Sequence, residues 1–97
     1  MQLQPNKNQP DETKYSSDEI GRQICDYICC KFGFLPGYVQ KTDALRRDLA
    51  LDSFDELELY SWAEGAFGVP VLLVEFDGIK TVEDLVGLIF RKYHHYE

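Results

Sequence analysis

Asp52-Ser53-Phe54-Asp55-Glu56-Leu57-Glu58-Leu59-Tyr60-Ser61-Trp62-Ala63-Glu64-Gly65-Ala66-Phe67 is the stretch whose reading decides the fold. Leu59, Trp62, Ala63, Ala66 and Phe67 recur at helical spacing and form one stripe, assigned to the core. Phe54, Leu57 and Ser61 form a second stripe on another face. Gly68 and Pro70 stop the helix. Its start has two readings. Ser53 with Glu56 three residues on fits a capping box, which turns the serine hydroxyl back onto its own helix. Asp52 is an equally good cap, and then Ser53 becomes the first helical residue with its hydroxyl projecting outward. The sequence permits both. In either case the oxygen lies where backbone N–H groups are unpaired and the helix dipole is positive, a setting that favours a phosphate.

Upstream, Ser16 and Glu19 form a second capping-box pattern, followed by Ile20, Ile24, Tyr27 and Ile28 at helical spacing. Gly33 and Pro36-Gly37 break that helix. The connection from Gly33 to Leu51 is long for a compact domain, and Leu45, Leu49 and Leu51 are placed to pin it to the core. Downstream, residues 71–76 are apolar and predict about one helical turn. Residues 69–74 are compatible with a strand by propensity but have no partner to pair with. After the Asp77-Gly78 turn, Thr81 caps a last helix with Asp84 at its third position. Val82, Leu85, Val86, Ile89 and Tyr93 form its buried stripe, and Arg91 and Lys92 suit its C-terminal end. Residues 1–15, rich in Gln, Asn, Pro and Lys, read as a disordered lead-in. The expectation is an all-α domain over 16–97. It has three main helices, a short helix before the last, and a long loop between the first two.

The chain has 97 residues, enough for one core but not for a core and a deep catalytic cleft together. No apolar run approaches a membrane span, and residues 1–15 lack a signal-peptide pattern, so a cytoplasmic monomer is expected. Cys25, Cys29 and Cys30 make a poor disulfide framework, and a metal site would need a second ligand pair. His94-His95 do not supply one, and the cysteines read as small apolar residues in or beside the core. Neither a triad nor a Gly-rich phosphate loop is present, which argues against an enzyme. The net charge of -7 argues against nucleic acid and anionic membranes. Asp48, Asp52, Asp55, Glu56, Glu58 and Glu64 lie between positions 48 and 64 with no Lys or Arg among them, and hold -6 of that charge. Such a face draws basic partner surfaces, although a plain solvated helix face has the same composition.

Arg47-Asp48-Leu49-Ala50-Leu51-Asp52-Ser53-Phe54-Asp55 resembles the acyl carrier protein signature, in which a D-L-G segment leads into D-S-L on the second helix. The resemblance extends through Glu58-Leu59 and Phe67 to Ile79-Lys80-Thr81-Val82-Glu83-Asp84-Leu85, and covers roughly residues 17–94. It implies that Ser53 accepts a 4'-phosphopantetheine arm from coenzyme A by the action of a separate Mg²⁺-dependent phosphopantetheinyl transferase. Acyl groups then travel on the arm as thioesters in fatty acid, polyketide or related secondary-metabolite synthesis, and the carrier itself catalyses nothing. Asp52 matches the acidic residue before the serine. Asp55, Glu56, Glu58 and Glu64 match the helix that meets basic patches of acyl-transferring, condensing or acyl-activating enzymes. Phe54 and Leu57 match apolar positions beside the arm, and Leu57 suits core packing as well as it suits partner contact. The departures are Phe54 for the commoner Leu, Ala50 for Gly, Ser61 for an exposed apolar residue, Trp62 for a small one, and the apolar 71–76 segment. They imply a specialised carrier. Two other readings stand beside this one. A peptidyl carrier more often has His before the serine, and a small acidic interaction module would use Ser53 only as a cap.

Overall fold

The structure, a computed structural model, describes residues 15–95. Three α-helices and one short 3-10 helix follow in order: α1 (Ser17–Phe32), α2 (Ser53–Phe67), the 3-10 helix (Leu73–Gly78) and α3 (Val82–His95). Among the described residues no strand forms, only an isolated bridge between Ala44 and Thr81. The helical bundle expected from the sequence is the one observed. Residues 1–14 of the expected lead-in lie outside the described residues. Tyr15 packs edge-on to Phe67, with ring centroids 5.2 Å apart, and against Tyr93 at 5.4 Å.

Each α-helix begins where a side chain takes up an orphan N–H. Ser16 Oγ accepts from the Glu19 amide at 3.1 Å, while the Glu19 carboxylate turns to Arg22 and Gln23, so only half of the expected box forms. Thr81 Oγ1 accepts from the Asp84 amide, and Asp84 Oδ2 accepts in return from the Thr81 and Lys80 amides at 3.0 and 2.9 Å. α1 and α2 stop at Gly33 and Gly68, whose φ of 83° and 72° favour glycine.

The core joins Ile20, Ile24 and Ile28 of α1 to Leu59, Tyr60, Ala63 and Phe67 of α2 and Val82, Leu85, Val86 and Ile89 of α3. The three isoleucines are fully buried, and each contributes about 1.5–3 kcal/mol by leaving water. Leu45, Leu49 and Leu51 are buried as expected and hold the long loop down. Backbone bonds from Leu45 N to Lys80 O (2.9 Å) and from Val82 N to Asp43 O (3.0 Å) stitch that loop to the start of α3. Trp62, assigned to the core stripe, lies half-buried at its edge, stacked on Tyr27 at 4.2 Å. Tyr60 takes the interior position instead.

None of the 3-10 helix is fully buried; Phe76, half-buried, packs its ring against Tyr60 at 4.8 Å, and polar bonds add to that contact. Glu64 accepts from the Val71 amide at 2.7 Å, and Lys92 Nζ donates to Pro70 O and Glu75 at 2.6 Å each. Burial alone raises the Glu75 carboxyl. Its bonds from Lys92 and the Leu72 amide outweigh that and hold it below its ordinary range.

Candidate functional site

Leu51 is buried, and its amide donates to Leu45 O at 3.0 Å, which aims the chain into α2. Just before it, Ala50 adopts φ 58°, a left-handed turn at the position where the resemblance expects Gly. Asp52 then caps α2. Its Oδ1 accepts from the Asp55 amide at 2.8 Å, and Asp55 Oδ2 accepts from the Asp52 amide at 3.1 Å. Of the two readings open in the sequence, the structure has Asp52 as the cap and Ser53 as the first helical residue. Ser53 is exposed, and among the described residues its hydroxyl takes part in no hydrogen bond. The oxygen is therefore available to a reagent at the positive end of a 15-residue helix.

Ser53 lines a cleft of about 610 Å³. Glu56 and Leu57 share its α2 wall, Arg46 and Arg47 come from the loop, and Leu73, Phe76, Ile79 and Lys80 close the far side. Of the residues singled out in the sequence, Ser53, Glu56 and Leu57 meet here, while Asp52, Phe54, Asp55, Glu58 and Glu64 lie outside the lining. Phe54 and Leu57 are 66% and 49% exposed, so both stay out of the core. Leu73, 77% exposed in the cleft wall, and Val74, 87% exposed just outside it, continue the apolar surface.

The acidic residues are more internally engaged than their composition suggests. Glu56 receives two bonds of 3.0 Å from Arg46. Glu58 pairs with Lys31 at 3.7 Å, and Glu64 and Asp55 accept backbone amides. Asp48 pairs with Arg47 and accepts the Ala44 amide, two bonds that lower its pKa. Charge remains on this face, but local partners fix its geometry.

Tyr60 was not among the candidates. It is buried, its ring lies 4.8 Å from that of Phe76, and its hydroxyl is buried without a hydrogen-bond partner among the described residues. Burial, then the nearby Glu56 carboxylate, push its pKa up. Its spacing with Ala63 and Phe67 (i, i+3, i+7) held the signal. On α1, Cys29 is buried, Cys25 half-buried and Cys30 exposed. Burial, reinforced by neighbouring Cys29 and Asp26, pushes the Cys25 thiol up to about 11, which makes it a poor nucleophile.

No protein-family model matches the chain. A protein of Prochlorococcus marinus (strain MIT 9515) named acyl carrier protein is 31% identical over 77 residues, which are 79% of this chain and 96% of that relative.

Proposed function

The chain belongs to the acyl carrier protein family, and on that premise we propose that Ser53 is the residue that bears its 4'-phosphopantetheine arm. A carrier is not an enzyme, and its role is to present cargo to synthesis enzymes. Among the described residues no helix is long and apolar enough to cross a membrane.

The observation that carries the proposal is the division of labour at the start of α2. Asp52 takes the cap, which leaves the adjacent serine oxygen exposed and unbonded among the described residues. That weighs against reading Ser53 as a cap alone. In the charging reaction the Ser53 oxygen attacks the phosphorus of coenzyme A that bears pantetheine. The new bond is Oγ–P, and the P–O bond to adenosine 3',5'-bisphosphate breaks. The serine proton passes to a base of the transferase, whose Mg²⁺ offsets the charge of the leaving group. The bound group supplies a terminal thiol, to which acyl cargo is joined as a thioester. Around it, Asp52 fixes the helix start, and the unpaired amides at the positive end of α2 favour the phosphodiester.

Phe54 and Leu57 form the apolar part of the partner surface in this reading, and Asp55, Glu56, Glu58 and Glu64 form its acidic part. The partners are the transferase and acyl-transferring, condensing or acyl-activating enzymes of fatty acid, polyketide or related synthesis. Ala50, Phe54, Ser61 and Trp62, with the exposed apolar run of the 3-10 helix, favour a specialised carrier over a housekeeping one. A transferase given an acyl-coenzyme A tests the proposal. One acyl group per chain is expected, released by hydroxylamine at neutral pH and absent from Ser53→Ala. An acyl group retained on Ser53→Ala overturns the assignment.

A further inference from the structure

Two arginines flank Ser53 on a chain whose net charge is -7. Arg46 and Arg47 line the same cleft as the serine, and their side chains are 63% and 79% exposed. Both are held in the same way. Arg46 Nε and Nη2 donate to Glu56 at 3.0 Å, and Arg47 Nε and Nη2 donate to Asp48 at 3.2 Å. A guanidinium has five N–H donors in one plane. Two enter each fork, so three remain at the end edge between Nη1 and Nη2, and these meet no acceptor among the described residues. The forks fix the two planes, so the end edges are oriented before any partner arrives. The carboxylates of Asp52 and Asp55 make no ion pair among the described residues and lie outside the cleft lining. The surroundings of Ser53 are therefore of two signs, free carboxylates at the start of α2 and directed N–H donors on the loop side.

We infer that Arg46 and Arg47 are a docking pair for surface carboxylates of the phosphopantetheinyl transferase that charges this chain. The inference rests on the Ser53 reading, because the transferase is the partner that must bring a reacting atom to the Ser53 oxygen itself. To do so it covers the cleft rim where both guanidiniums stand. Covering them strips water from their end edges, and a donor left dry without an acceptor costs free energy. A carboxylate set against such an edge receives two parallel charge-assisted bonds. A basic surface placed there is repelled by both arginines. The carrier thus meets its transferase through both signs of charge, Asp52 and Asp55 against cations and Arg46 and Arg47 against anions. That mixed pattern fixes the orientation of approach and turns away transferases whose docking face is basic throughout.

The test is steady-state charging of the full chain by the transferase that modifies it in its host, with the adduct followed by intact mass. Arg47 carries the test, because Arg46→Ala would also release Glu56. Arg47→Ala is expected to raise the KM for the carrier by about two- to fivefold, the range of an exposed charge pair, with kcat and the KM for coenzyme A unchanged. Arg47→Glu, which sets like charges together, raises it by about tenfold or more. Arg47→Lys keeps the charge without the planar fork and recovers part of the loss. Urea melts of the three variants stay close to that of the wild type, since the side chain is exposed. A carrier KM that falls in Arg47→Glu shows a basic surface over the rim and overturns the inference, as does a KM that does not change. A rise confined to the KM for coenzyme A gives Arg47 to a coenzyme phosphate and overturns it too. A wild-type chain with no adduct on Ser53 overturns the Ser53 reading as well, and intact mass separates that result from charging with an unaltered KM.

Discussion

Replacing Asp52 and Ser53 in turn by alanine separates the residue that builds the helix start from the one that is free for chemistry. Asp52→Ala removes the 2.8 Å bond to the Asp55 amide and leaves that amide without its cap. Loss of a cap costs about 0.5–2 kcal/mol, and loss of a carboxylate at the positive helix end adds about 0.3–1 kcal/mol. Ser53→Ala removes an exposed hydroxyl that takes no hydrogen bond among the described residues and substitutes a better helix former. Its effect is expected within about 0.5 kcal/mol of zero. With a urea dependence of about 1.5 kcal/mol per molar, a loss of about 1.5 kcal/mol lowers the Asp52→Ala midpoint by about 1 M. The Ser53→Ala midpoint barely moves. Asp52→Asn keeps a competent cap and falls in between, which isolates the charge. Urea melts followed by circular dichroism read all three. A loss in Ser53→Ala as large as that in Asp52→Ala would show that Ser53 is the cap and refute the reasoning.

Ala50→Gly relieves a left-handed alanine at φ 58°, worth about 1–2 kcal/mol, against about 0.4–1 kcal/mol of added unfolded-chain entropy. A net gain of about 0.5–1 kcal/mol is expected in urea, and a loss contradicts the backbone geometry before Ser53. Tyr60→Phe removes a buried hydroxyl that has no partner among the described residues and should raise stability by about 1 kcal/mol. A loss of that size points instead to a hydrogen bond made by the hydroxyl. The backbone amides of Lys80 and Thr81 lower the Asp84 pKa, so its stabilisation is full above the ordinary carboxylate range and is lost as pH falls through the depressed value. Asp84→Asn should flatten the decline of Tm below about pH 4. An unchanged acid slope removes Asp84 from that account.

Much of the fold was legible because apolar spacing and stop signals agreed. Ile20, Ile24 and Ile28 are buried on α1, and Gly33 and Gly68 end α1 and α2 as read. The start of α2 was not decidable from its residues, since Asp52 and Ser53 are equivalent caps. The choice came from tertiary structure, because Arg46 reaches across from the loop and holds Glu56, the partner a Ser53 box would need. The same long-range pairing hid the state of the acidic face. Composition counts carboxylates but does not show that Lys31 meets Glu58 or that Glu64 fastens the Val71 amide. Trp62 was assigned to the core and Tyr60 to no face, because α2 is apolar on more than one face; packing places Tyr60 inside against Phe76 and Trp62 at the edge on Tyr27.

The central claim is that Ser53 is a point of attachment. Incubation with coenzyme A, Mg²⁺ and a broad-specificity phosphopantetheinyl transferase, followed by intact mass and peptide mapping, measures it directly. One phosphopantetheine per chain on the peptide holding Ser53, and none on Ser53→Ala, is the result the account predicts. An unmodified chain after several transferases, or an adduct that persists in Ser53→Ala, would contradict it.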